Sequence, residues 1–214
     1  HSIVSWDFAV LIAVEGWHST IFAPYFIIGA IHSGVSAVAM LMALCVWLYK
    51  LDRYIKPDHF DAIASLLIIV ATTWFFFFFL EWVYALYTLA SPEIALRELQ
   101  AFEWPYGPLF ALFVILSFVI PVPLWMFKRC RRSALIMFFT TILVNIGMWL
   151  ERFLIVIPGL VRRSHMTFDW GTYHPSLIEI LIVVETFAFV ALGMLVFAKV
   201  LPLIPLFDVK EGVV

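Results

Sequence analysis

The stretch AIASLLIIVATTWFFFFFL, residues 62–80, contains no charged side chain and is followed at once by Glu81. Crossing the hydrocarbon core of a bilayer takes about 20 helical residues, and this stretch has that length and composition. Phe75 to Phe79 would surround a helix with rings, so some of them must face lipid or another subunit. Runs of the same kind recur on both sides of it. The sequence predicts spans over residues 21–49, 60–89, 105–127, 132–157 and 175–201. Residues 1–14 are apolar but too short to cross, and read as the last part of a truncated transmembrane helix. The chain opens at His1 without a basic leader segment, which argues against a signal peptide. The expected fold is therefore an all-α integral membrane protein, five full helices plus one truncated one. Residues 15–207 would form the bundle and residues 208–214 a tail. No β-barrel alternation is visible, and short connections predict antiparallel neighbours.

Composition agrees. Of 214 residues, 64% are hydrophobic and 13% charged, with a mean hydropathy of +1.05. That leaves too little polar surface to cover a water-soluble globule. A net charge of −2 gives no basic surface for nucleic acid. The two cysteines, Cys45 and Cys130, exclude a disulfide scaffold and cannot by themselves hold an iron–sulfur cluster or a structural zinc. No metal site is predicted, and redox metals would have to come from a partner.

Charge asymmetry orients the bundle. Lys50, Arg53, Lys56, Lys128, Arg129, Arg131, Arg132, Lys199 and Lys210 fall on one side. The other side has Arg97, Arg162 and Arg163 among Glu93, Glu98, Glu103 and Asp169. By the positive-inside rule the first side and the C-terminus face the cytoplasm. The external connections are longer and rich in Trp, Tyr and Pro, where a partner would dock. Gly29, Ser33 and Ala37 are expected to form a small-residue packing stripe, and Pro121 and Pro123 to kink one helix.

An ionisable group at membrane depth is costly unless paired or hydrated, so each is a functional hypothesis. Asp7 is expected about 9 Å, His32 about 12 Å and Glu185 about 15 Å in from the external side, at about 1.5 Å per residue. Glu81, Asn145, Glu151 and Arg152 also fall in the external half. Asn145, Trp149 and Arg152 share a helical face, and a buried Arg152 needs a carboxylate, for which Asp7, Glu81 and Glu151 are candidates; a partner from another helix is expected, Asp7 first and Glu81 second. An interfacial Arg152 reaching to headgroups beside a hydrated Glu151 is the alternative. Glu81, Glu179, Glu185 and His32 are candidates for a proton pathway. Of the six histidines only His1 and His32 lie at depth, both on the external side, so two b-haems are excluded and at most one could be ligated. A histidine placed as His32 is more often a hydrogen-bonded packing residue than a ligand.

The segments His1–Ala9 and Trp17–Phe26, with Asn145-Ile146-Gly147-Met148-Trp149-Leu150-Glu151-Arg152-Phe153 and Trp170-Gly171-Thr172-Tyr173-His174-Pro175, resemble the NrfD/polysulfide-reductase membrane subunits. Within them the chain is most similar to the NrfD-like subunits of bacterial alternative complex III. The resemblance implies the C-terminal half of a double four-helix bundle in the bacterial inner membrane, free of haem and iron–sulfur clusters. It implies quinol, with menaquinol expected, bound near the periplasmic side. Electrons would pass to a ferredoxin-like iron–sulfur subunit and on to multihaem cytochrome c subunits, with a paralogous NrfD-like subunit alongside. The family motifs correspond to Asp7, Glu151 and Arg152 as catalytic residues, and His1, Asp7 and Arg152 would contact quinone. Quinol gives up protons with its electrons, so a carboxylate or histidine must accept them. A structural or proton-conducting subunit that binds no quinone is the alternative. A secondary transporter would show inverted repeats and broken midplane helices, which the sequence lacks.

Overall fold

The computed structural model describes residues 1–12, 14–161 and 173–201. Arg162, Arg163, His165, Asp169, Trp170, Lys210 and the tail at 208–214 lie outside the described residues. The chain divides into two compact units, His1–Trp170 and Gly171–Val214.

The first unit begins with α1 (Ser2–Trp6), which runs on as a π-helical turn over Asp7–Leu11. Then follow α2 (Phe22–Tyr49), α3 (Pro57–Thr88) and α4 (Ser91–Phe102). The third span comprises α5 (Tyr106–Val114), a π-helical turn over Ile115–Val119 and α6 (Pro121–Met126). A short α7 (Lys128–Arg131) leads to α8 (Ala134–Val161). The second unit contains α9 (Leu177–Val200). Among the described residues five helices are long and apolar enough to cross a membrane: α2, α3, the composite Tyr106–Met126, α8 and α9, with a shorter apolar helix over Ser2–Leu11. The all-α transmembrane bundle expected from the sequence is the architecture found.

Local chemistry sets the helix ends. Pro57 opens α3, where its missing N–H costs nothing, and His59 Nδ1 accepts from the Lys56 backbone N at 2.9 Å. Lys50 and Leu89 close α2 and α3 in the left-handed region, at φ 53° and 52°. In the third span Pro121 cannot donate to the preceding turn, and the break takes the form of the π-helical turn just before it.

α2 packs chiefly on α3 and α8. The buried side of α3 is Phe60, Ala64, Leu67, Ala71, Trp74, Glu81 and Ala85, an alternation of three and four residues typical of interlocking helices. On α2 the buried line is Gly29, His32, Ser36, Ala39 and Ala43, so the close-approach stripe shares Gly29 with the expected one but not Ser33 or Ala37, which are half-buried. Of the phenylalanine run, Phe76 and Phe79 are exposed, while Phe75, Phe77 and Phe78 pack on the core. At the basic end, Arg131 Nε lies 2.8 Å from Asp61 and Arg132 2.8 Å from Asp58, tying the start of α3 to the turn before α8.

α4 occupies the stretch between the second and third expected spans, where the sequence alone predicts no span. Ser91-Pro92-Glu93 is a helix start, and Leu96 and Leu99 supply an apolar face. Its buried side also carries Arg97 and Gln100, which ordinary apolar periodicity passes over.

Gly147 brings α8 against the π-helical turn: a Cβ there would sit 2.9 Å from the Ser117 backbone N and 3.1 Å from Phe113 O. Backbone cannot yield as a flexible side chain can, so Gly147→Ala should destabilise by about 1–3 kcal/mol. Gly34 on α2 has nothing within 4 Å of a Cβ, and Gly34→Ala should leave stability unchanged or raise it. Thermal unfolding in detergent compares the two.

Candidate functional site

The site is built around Glu151 on α8, only 2% exposed. Three helices converge on its carboxylate. From α3, Trp74 Nε1 donates to Oε1 at 2.9 Å; from α2, the Tyr25 hydroxyl donates to the same oxygen. From α8 itself, Arg152 Nη2 lies 3.6 Å from Oε2. Two neutral donors and one cation on a single carboxylate replace much of the hydration that the bilayer removes.

Arg152 is held from three sides. Its guanidinium lies over the Phe26 ring, Cζ 3.9 Å from the centroid, and Nη2 donates to Phe26 O at 3.3 Å. Stacking of this kind adds a cation–π attraction. Gly29 leaves the room for it, since a Cβ there would meet Nη2 at 2.6 Å. The ring of His1 also stacks on Phe26, centroids 5.4 Å apart and 18° between planes. His1, Phe26 and Arg152 are thus together, and the Arg152 side chain keeps 27% of its surface exposed. Two groups are unfinished: Glu151 Oε2 and Arg152 Nη1 are buried with no hydrogen-bond partner among the described residues.

A second carboxylate stands nearby. Glu81, 4% exposed, accepts from Arg97 Nη2 at 3.2 Å on Oε1 and from Ser19 Oγ at 2.7 Å on Oε2. Arg97 reaches it from α4, with Nη1 donating to Gln100 Oε1 at 3.2 Å and Cζ 5.3 Å from the Trp82 ring. Gln100 Nε2 in turn donates to Leu154 O at 2.9 Å on α8. Between the two carboxylates lies a cavity of about 30 Å³, lined by Tyr25, Phe78, Glu81, Arg97, Gln100 and Glu151 among others. That is room for a water or two and far too little for a ring.

The expected ion pair of Arg152 with Asp7 or Glu81 is not the one formed. Arg152 pairs with Glu151 beside it, and Glu81 pairs with Arg97. The reason is reach: α4 folds back over the end of α3 and delivers its own guanidinium there. Asp7 is half-buried on the π-helical turn, with no ion pair among the described residues. Asn145 lies deeper, donating to Ser36 Oγ at 3.0 Å, while Trp149 is 47% exposed and turned away from the bundle interior. His32 is fully buried, with neither ring nitrogen hydrogen-bonded among the described residues, and its ring lies 5.6 Å from the Trp74 ring. In the second unit Glu179 caps its own helix, its Oε2 accepting from Ser176 N at 2.6 Å, and Glu185 lies further along α9. Among the described residues no group of three His, Cys, Asp or Glu could hold a metal ion.

Sequence reasoning missed Tyr25, Trp74, Arg97 and Gln100. The signal for Trp74 was its place seven residues before Glu81, two turns along the same helix face.

Residues 1–163 match the family described as polysulphide reductase, NrfD. The chain belongs to the NrfD family. The matched region contains Tyr25, Trp74, Glu81, Glu151 and Arg152, so the whole carboxylate centre is part of the NrfD unit, whereas α9 follows it. No curated protein matches the chain. As an NrfD protein it is a membrane-embedded member of a family found in respiratory complexes.

Arg152→Ala leaves Glu151 buried without its cation. We expect a loss of about 3 kcal/mol, the lower end for breaking a buried pair, because Arg152 itself is partly exposed. Arg152→Lys should recover only part, since an ammonium neither forks nor stacks on Phe26 in the same way. Thermal unfolding of both variants in detergent reads the difference.

Proposed function

We propose that this chain is the quinol-oxidising membrane subunit of a respiratory oxidoreductase of the alternative complex III type. In this reading it lies in the bacterial inner membrane with its C-terminus in the cytoplasm. Menaquinol, or a related quinol, binds near the periplasmic side. Electrons leave to a ferredoxin-like iron–sulfur subunit and then to multihaem cytochrome c subunits, beside a paralogous NrfD-like subunit.

One observation carries the reading: Glu151 Oε2, ion-paired with Arg152 Nη2 but accepting no hydrogen bond, and Arg152 Nη1, donating none, among the described residues. A quinol hydroxyl is both donor and acceptor, and it complements that pair. The residues therefore fit the substrate at one end, while the 30 Å³ cavity does not admit its ring. The ring belongs on the partly open side, against Phe26 and His1. When bound, the quinol supplies the electrons and two protons. Glu151 takes the proton at its hydroxyl, held in place by Tyr25 and Trp74, and Arg152 stabilises the charge at the reacting oxygen. Asp7, which has no ion pair among the described residues, is the acceptor assigned to the second proton.

A non-quinone, proton-conducting subunit is the second reading. The water-sized cavity between two buried carboxylates favours it.

Quinol-driven electron transfer in the assembled complex separates them. Glu151→Gln keeps the size and the acceptor oxygen but cannot take the proton, and should lower kcat by about a hundredfold or more. Asp7→Asn should lower it as well, without loss of assembled complex. A fully assembled Glu151→Gln complex with wild-type turnover contradicts the quinol reading.

A further inference from the structure

Each of the two buried carboxylates has its own guanidinium: Glu151 has Arg152 at 3.6 Å, and Glu81 has Arg97 at 3.2 Å. Each also has a hydroxyl donor, Tyr25 on Glu151 and Ser19 on Glu81. They lie on different helices, α8 and α3, and both line the one small cavity. This cavity is polar where it matters, with Glu81, Arg97, Gln100, Tyr25 and Glu151 in its wall, and is roomy enough for water. Glu81 leads outward from it. Glu81 bonds Ser19, which is half-buried in the loop before α2, next to exposed His18; Glu93 accepts from Gly16 N at 3.1 Å in the same place. Trp74 and Phe78 close the inner side of Glu151.

We propose that Glu151 and Glu81 are successive stations of one proton route, joined through water in the cavity between them and opening at Ser19. The step is a proton transfer and nothing else. The O–H bond on Glu151 breaks, and its proton enters the cavity water. An equivalent proton leaves that water to form an O–H bond on Glu81, which releases it towards Ser19 and bulk water. Glu151 is left as a carboxylate beside Arg152, as it began. The matched guanidinium at each station is what makes the exchange workable. A carboxylate without a cation would hold a proton far more tightly than one with it, and the proton would stop there. The hydroxyl of Tyr25 fixes Oε1 of Glu151 at the cavity wall. Arg97 is a positioning residue, holding Glu81 at the opposite wall from α4. The route rests on reading Glu151 as a proton acceptor, and it does not depend on what delivers the proton.

The test is rapid acidification of the full-length protein in lipid vesicles, followed by time-resolved infrared spectroscopy of the carboxyl C=O band. The band belonging to Glu151 is the one lost in Glu151→Gln. In Glu81→Gln it should appear about a hundredfold more slowly than in wild type, the lower end of what a positioned proton carrier contributes. Glu81→Asp, which restores a titrating group, should bring back most of the rate, which a purely structural role for Glu81 does not predict. Should Glu81→Gln fail to accumulate in the membrane, Tyr25→Phe decides: it removes one hydroxyl, leaves the ring, and slows the same band. Wild-type rates in the variants, or a Glu151 that takes up no proton on acidification, overturn the proposal. A complex that shows this coupling yet oxidises no quinol loses the quinol reading and keeps the route. One that oxidises quinol while Glu81→Gln protonates at the wild-type rate keeps the reading and loses the route.

Discussion

A carboxylate taken out of water must be given back its hydrogen bonds, and Glu151 is where this bundle meets that demand. Three helices contribute. Trp74 and Tyr25 satisfy one oxygen from α3 and α2, and Arg152 neutralises the charge from α8. Each requirement propagates outward. The indole must reach α8, so Trp74 is fully buried; the guanidinium must lie over Phe26, so α2 carries Gly29 where it passes. The packing of α2 on α3 and α8 and the chemistry of the acid are therefore one constraint seen from two sides.

The same logic explains why α4 belongs to the bundle. Glu81 sits near the end of α3, too far along to share Arg152, and the chain supplies a separate cation by folding an amphipathic helix back across that end. Arg97 then pairs with Glu81, while Gln100 ties α4 to the backbone of α8 at Leu154. The aromatic packing of Phe78, Phe110 and Phe113 surrounds the inner side. This keeps the polar volume small, so that water fits and a larger molecule does not.

Much of this was legible in the residues. Uncharged runs gave the number and kind of helices, because lipid leaves the backbone no other choice. Glu81, Glu151 and Arg152 stood out because charge at depth is rare. What could not be read was who pairs with whom. Arg152 was expected to reach Asp7 or Glu81, but the ion pair of a side chain depends on helix rotation and on neighbours distant in sequence, and here the adjacent acid is turned inward with it. Arg97 was hidden because it lies in a segment of ordinary loop composition. Tyr25 and Trp74 were hidden because an aromatic ring in an apolar helix reads as packing, and only its partner reveals that its polar atom is in use.

In the quinol reading, a headgroup hydroxyl completes the hydrogen bonding of Glu151 and Arg152 from the side of Phe26 and His1. The most direct measurement is a structure of the assembled complex with a quinone-site inhibitor or quinone analogue bound. The expected result is a headgroup oxygen within about 3 Å of Glu151 or Arg152, with the ring against Phe26 and His1. A headgroup bound elsewhere in the complex, with Glu151 and Arg152 closed on water, would contradict it.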